Sequence, residues 1–159
     1  MTAELDPVRH EVTVPLDREV AFDLLTSRID EWWPRGSTFS RRSLASVHVD
    51  PTVGRWYERS DDGDELTWGR ILIWQPPGHL VLGWQITAQG KPEPHPNRAS
   101  RVEFRLVEAG ERTRVVLEHS GFERHGREGG RIWRDGLDGP QGWKAILAPF
   151  VAASERNRA

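Results

Sequence analysis

Polar and apolar positions along the chain repeat with two periods, and the changes between them mark the elements. Val8, His10, Val12 and Val14 fall on one face and Arg9, Glu11 and Thr13 on the other, the pattern of a half-buried strand that Pro15 ends. The period then lengthens. Val20, Ala21, Leu24 and Leu25 form the apolar stripe of a helix that Asp17 caps and that runs to Ser27. Ile29, Trp32 and Trp33 continue as a short second helix, stopped by Pro34 and Gly36. Alternation returns over residues 43–49, 54–59, 65–74, 79–86, 101–107 and 113–119, which predicts strands. In the longest, Leu66, Trp68, Arg70, Leu72 and Trp74 share the expected inner face; Leu80, Leu82, Trp84 and Ile86 do so in the next. Val102, Phe104 and Leu106 point inward, followed by Thr113, Val115, Leu117 and His119. Residues 60–64 and 75–78 are turns, and 88–98, with Pro92, Pro94 and Pro96, reads as a flexible loop. Residues 121–139 are rich in glycine and arginine and lack a period, so they too read as loop. The chain closes on a helical stripe of Trp143, Ile146, Leu147, Phe150 and Val151, in which Pro149 is expected to bend the helix near Ala145.

Strands joined by short turns make an antiparallel meander. A sheet with one apolar face must cover it, and the final helix is the only long amphipathic element left to do so. The expectation is an α+β fold: a curved antiparallel sheet of six to seven strands wrapped around a long C-terminal helix, with two short helices after the first strand. It forms a single domain over 1–159, with its core at about 8–153. A helix laid across a bent sheet leaves a wedge-shaped space between the two layers.

Composition narrows the function. Lys and Arg number 22 against 24 Asp and Glu, a net charge of −2, which argues against a polyanion binder and so against nucleic acid. No cysteine is present, which removes disulfides and thiolate–metal sites. The polar N-terminus lacks the apolar centre of a signal peptide, and no apolar run is long enough to span a bilayer, so a cytoplasmic protein without membrane insertion is expected. Tryptophan, ordinarily rare, occurs eight times. Such a load means either a heavily aromatic core or a cavity with wide, rigid walls, and both readings stay open.

In the order Asp30-Glu31-Trp32-Trp33-Pro34, Gly54-Arg55-Trp56-Tyr57-Glu58, Trp68-Gly69-Arg70-Ile71, Pro76-Pro77 leading to Leu82-Gly83-Trp84, and Gly142-Trp143, the chain resembles the SRPBCC (START-like) superfamily. The branch is that of the homologues of the activator of heat-shock-protein-90 ATPase, and the likeness covers nearly the whole chain. The resemblance implies a helix-grip, Bet v-like fold and a hydrophobic-ligand or lipid-binding cavity, without implying one activity. It departs from the family where a glycine pair becomes Val53-Gly54 and where Pro149 enters the last helix.

The expected ligand wall comprises Trp33, Trp56, Glu58, Trp68, Arg70, Trp84, Phe104, His119, Trp143 and Leu147. Glu58 shares the inner face with Trp56, and a carboxylate there needs a counter-ion, for which Arg70 is the candidate. Glu58 and His119 are the candidate catalytic residues, as acid–base groups or as partners of a ligand oxygen. The histidines show no metal spacing, and no phosphate loop or nucleophile elbow occurs, so no metal or cofactor is implied. Residues 124–134 read as a solvated mobile loop, or as a basic lid over an acidic ligand. The expected function is binding or carriage of a small apolar or aromatic molecule. The alternatives are a cyclase-, aromatase- or hydrolase-type enzyme and a chaperone ATPase activator; a homodimer is left open.

Overall fold

In the computed structural model, which describes residues 5–157, strands β1 (Val8–Val14), β2 (Leu44–Asp50), β3 (Arg55–Ser60), β4 (Glu65–Gln75), β5 (His79–Trp84), β6 (Ser100–Ala109) and β7 (Arg112–Ser120) form one seven-stranded sheet. Its order is β1-β7-β6-β5-β4-β3-β2 with antiparallel neighbours throughout, a meander to which β1 adds by pairing with β7. Helix α1 (Arg18–Leu25) and a 3-10 turn (Ile29–Glu31) lie between β1 and β2. Asp17 caps α1, its carboxylate accepting from the Val20 N–H at 2.9 Å. After β7 come a 3-10 turn (Phe122–His125), α2 (Arg127–Asp138) and α3 (Trp143–Arg156).

Helix α3 buries Trp143, Ile146, Leu147, Phe150 and Ala153 and runs through Pro149 without interruption. The large side chains among them contribute about 1.5–3 kcal/mol each by leaving water. The antiparallel α+β helix-grip architecture expected from the sequence is the observed one.

Two departures matter for the site. Strand β4 does not keep one phase. Trp56 faces Gly69 while Tyr57 faces Thr67, so Trp68 is an extra residue; a second irregularity falls between Ile71 and Ile73. Each bulge moves the residues that follow to the other face. Arg70 and Leu72, expected inside, are therefore exposed, and Trp74 returns to the core side only after the second shift. The second departure is α2, a twelve-residue helix within the segment read as a mobile loop. Glycine disfavours helix, and here it serves close approach. A Cβ at Gly130 would lie 2.3 Å from the Phe122 carbonyl oxygen, and one at Gly142 would lie 2.0 Å from that of Leu137. Glycine lets α2 seat against the turn before it and α3 start tightly after it.

Candidate functional site

The wedge between sheet and α3 is filled with indoles. Trp33 lies 5.8 Å from Trp56, 5.1 Å from Trp68 and 6.3 Å from Trp143, ring centroid to ring centroid. Trp84 lies 5.8 Å from Trp56 and 5.6 Å from Trp143. Phe104 and Leu147 complete this packing and are buried. The central space anticipated from the sequence is thus largely occupied by its own tryptophans. The rings are big enough to close the gap that a helix on a bent sheet leaves.

A cavity of about 340 Å³ opens instead at the side of the grip. Its walls are the 33–39 segment, Trp84 from the end of β5, and Ile132, Trp133 and Leu137 from α2, with Ile146 of α3 behind them. Phe39 stands 5.7 Å from Trp84 and 5.9 Å from Trp133, and Trp133 stands 5.2 Å from Trp84, all edge to face. Phe39 and Trp133 are half-buried. Aromatic edges and faces, with Ser37, Thr38 and Gln141 at the margin, suit a flat apolar molecule. A larger groove of about 420 Å³ between α1 and the β4–β5 turn has Glu19, Asp23 and three prolines among its walls and lies on the exterior.

Glu58 holds one wall in place. It is fully buried, and its Oε1 accepts from the N–H groups of Phe39 at 2.7 Å, Ser40 at 3.0 Å and the Trp68 indole at 2.9 Å. The 38–40 segment is thereby tied to the sheet, while Asp30 accepts from the Val47 N–H at 2.9 Å and ties the preceding 3-10 turn to β2. The expected Glu58–Arg70 pair is absent because the β4 bulge turns Arg70 outward. Backbone amides and an indole, rather than a guanidinium, satisfy the buried oxygen; Oε2 has no partner among the described residues.

His119 is fully buried, and both its ring nitrogens are taken. Nδ1 accepts from the Trp143 indole N–H at 3.0 Å, and Nε2 lies 2.7 Å from the Ser100 hydroxyl oxygen, which lies 2.7 Å from His125 Nε2. An indole N–H can only donate, and the Ser100 backbone N–H donates to His125 Nε2 at 3.3 Å, so the polarity of the whole chain follows. His119 is protonated on Nε2 and donates to Ser100; Ser100 donates to His125, whose proton is on Nδ1. Both rings are neutral. Burial holds His119 well below the ordinary histidine range, with proximity to His125 adding to it; burial also lowers His125, to about 4, against a smaller opposing effect of Glu123. No His119 nitrogen is left for a ligand, contrary to the role anticipated for it.

Of the ten residues expected to form a ligand wall, Trp33 and Trp84 border this cleft. Trp56, Glu58, Trp68, Phe104, His119, Trp143 and Leu147 are buried behind it, and Arg70 is outside. Phe39, Ile132, Trp133 and Leu137 were missed. Phe39 sits in a segment without a period and the others on a helix obscured by glycine. The spacing of Ile132, Trp133 and Leu137 was the one signal present for them.

Comparison with known proteins agrees with this architecture. The solved structure named "An anthrahydroquino-Gama-pyrone synthase Txn09 complexed with SUM" is 38% identical, covers 96% of this chain and 99% of its own, and superposes with a TM-score of 0.64. That of the self-sacrificing resistance protein CalC from Micromonospora echinospora is 35% identical, with 96% of each chain covered and a TM-score of 0.70. The AHSA1-like protein from Aeromonas hydrophila, at 16% identity, 96% and 94% coverage and a TM-score of 0.61, shares the fold. No match was found among curated protein sequences. The family model described as "Activator of Hsp90 ATPase homolog 1-like protein" matches residues 15–155, and the chain belongs to that family.

Proposed function

We propose that the protein binds a small, flat, apolar or aromatic molecule in the lateral cleft, with Trp33, Phe39, Trp84 and Trp133 as its walls. The observation that carries this reading is the cleft itself: about 340 Å³, within the range of small-ligand sites, and walled by aromatic rings from three separate parts of the chain. Glu58 and the histidine chain act behind the walls, fixing the 38–40 segment and the turn that leads into α2. Neither touches the molecule that is bound.

The test is equilibrium dialysis of planar aromatic hydrocarbons and heteroaromatics against the wild-type protein and Trp133→Ala. Trp133 is half-buried, so its truncation leaves most of the core in place. Binding that the variant weakens about ten-fold or more supports the cleft. Undiminished binding in Trp133→Ala places the ligand elsewhere and ends this reading.

A second reading, an enzyme, is favoured by the name of the 38%-identical relative as a synthase together with the oriented Trp143–His119–Ser100–His125 chain. Under it, Ser100 fixes the tautomer of His125, the base at the outer end of the chain. Ser100→Ala would then abolish turnover of a bound ligand while leaving its affinity intact, and turnover that persists in Ser100→Ala removes the role.

A further inference from the structure

Six indole N–H groups in this structure have an acceptor. Trp32 donates to the Leu24 carbonyl at 2.7 Å, Trp33 to that of Ser37 at 2.8 Å and Trp56 to that of Gly83 at 2.8 Å. Trp68 donates to Glu58 at 2.9 Å, Trp133 to the Ile86 carbonyl at 2.9 Å and Trp143 to His119 at 3.0 Å. Of the other two, Trp74 is half-buried beside the exterior groove, and the Trp84 indole N–H is the buried exception. Its residue is only 2% exposed, and its Nε1 is shut off from solvent with no hydrogen-bond partner among the described residues. A buried donor without a partner is costly, and native structures rarely leave one without a reason.

The exception belongs to a cleft wall. Two other wall rings, Phe39 and Trp133, meet the Trp84 ring edge to face at 5.7 Å and 5.2 Å, and each is half-buried. They come from different parts of the fold: Phe39 from the segment fastened by Glu58, and Trp133 from α2. Neither ring can accept a strong hydrogen bond. Phe39 and Trp133 also meet each other, at 5.9 Å, so a guest has to part them to gain two ring contacts and approach the idle donor.

We infer that the ligand is a planar polycyclic aromatic bearing a ring carbonyl or equivalent oxygen acceptor, which enters between Phe39 and Trp133 and accepts a hydrogen bond from Trp84 Nε1. This deepens the binding reading above and rests on it. Apolar ring area supplies attraction and Trp84 selects the oxygen. A hydrocarbon of the same shape leaves the donor unpaired and binds less well.

The pair 9-fluorenone and fluorene tests this, because the two differ by a carbonyl in place of a methylene on the same flat frame. Equilibrium dialysis of the wild-type chain is expected to show fluorenone bound about ten-fold more tightly, the worth of one buried hydrogen bond. In Trp84→Phe the ratio falls to about one, and in Trp133→Ala both ligands weaken together and the ratio stays. Should Trp84→Phe fail to fold, the indole N–H resonances of the wild-type protein decide. Of the two outside the six with protein acceptors, the solvent-protected one, Trp84, moves further downfield with fluorenone than with fluorene. Equal binding of the two compounds in the wild type overturns the role of Trp84 while leaving the aromatic cleft standing. A ratio that survives in Trp84→Phe also overturns it, since another donor is then responsible. Binding of neither compound removes the cleft reading and this inference with it.

Discussion

Removing the Glu58 carboxylate tests the claim that a buried charge fastens the cleft wall. The side chain is fully buried, and three donors converge on Oε1 at 2.7, 3.0 and 2.9 Å. A hydrogen bond to a charged group contributes a net of about 1.5–3 kcal/mol, which sets a gross loss of roughly 5–9 kcal/mol for three. Against this stands the cost of holding a carboxylate away from water with one oxygen unpaired, several kcal/mol that the variant recovers. The backbone donors of Phe39 and Ser40 are part-buried and can turn to water once released, but the Trp68 indole cannot. Glu58→Ala should therefore lose about 3–5 kcal/mol. Glu58→Gln keeps an oxygen for the three donors and sets a carboxamide NH2 in the buried place of Oε2, which has no partner among the described residues, so it should lose about 1–3 kcal/mol. Urea denaturation at unchanged slope reads both values. Dialysis with an aromatic ligand reads the wall: Glu58→Ala should weaken binding more than Glu58→Gln. A Glu58→Ala protein within 1 kcal/mol of wild type, or one that binds as well, would refute the reasoning, because the carboxylate would then not be what holds residues 38–40.

Acid should weaken the fold through His125. Its folded pKa of about 4 lies below the ordinary value of 6.5, so between those limits the unfolded chain holds more protons. Stability is full above about pH 6.5 and falls as the pH drops toward 4; the partly exposed ring limits the contribution to about 1–2 kcal/mol. His125→Ala should flatten that part of a pH series of denaturation midpoints, and an unchanged slope in the variant would contradict it. Neighbouring glycines in α2 should respond oppositely to alanine. A Cβ at Gly130 meets the Phe122 carbonyl oxygen at 2.3 Å, so Gly130→Ala should cost about 2–3 kcal/mol. At Gly129 the nearest atoms are at 3.6 and 3.7 Å, so Gly129→Ala should be neutral or gain up to about 1 kcal/mol; thermal unfolding of the pair separates the cases. Trp143→Phe should leave His119 Nδ1 without its donor at a cost of about 1–3 kcal/mol. Imidazole nitrogen chemical shifts should show His119 protonated on Nε2 in the wild type, and a wild-type Nδ1–H form would refute the assigned polarity of the chain.

How much of this could be read before folding depends on the range of the interaction concerned. The alternation of β1, β6 and β7, the Asp17 cap of α1 and the stripe on α3 were all legible, because they arise between residues a few positions apart. The meander of β2 to β7 followed too, since chain neighbours tend to pair, whereas the place of β1 beside β7 did not. Arg70 was misplaced because a bulge is a relation between two strands, and β4 carries no mark of where β3 slips against it. Helix α2 was missed because glycine at 129, 130 and 136 lowers local preference while the reason for Gly130, the Phe122 carbonyl, exists only after docking. The role of Glu58 depends on Phe39 and Ser40, and that of His119 on Ser100 and Trp143, partners 18 to 24 positions away with no periodic link. Local chemistry thus dictated the elements and their apolar faces. Where space stayed open, which buried indole lacked an acceptor and which rings became walls were decided by packing, because volume and hydrogen-bond pairing are properties of the assembled chain.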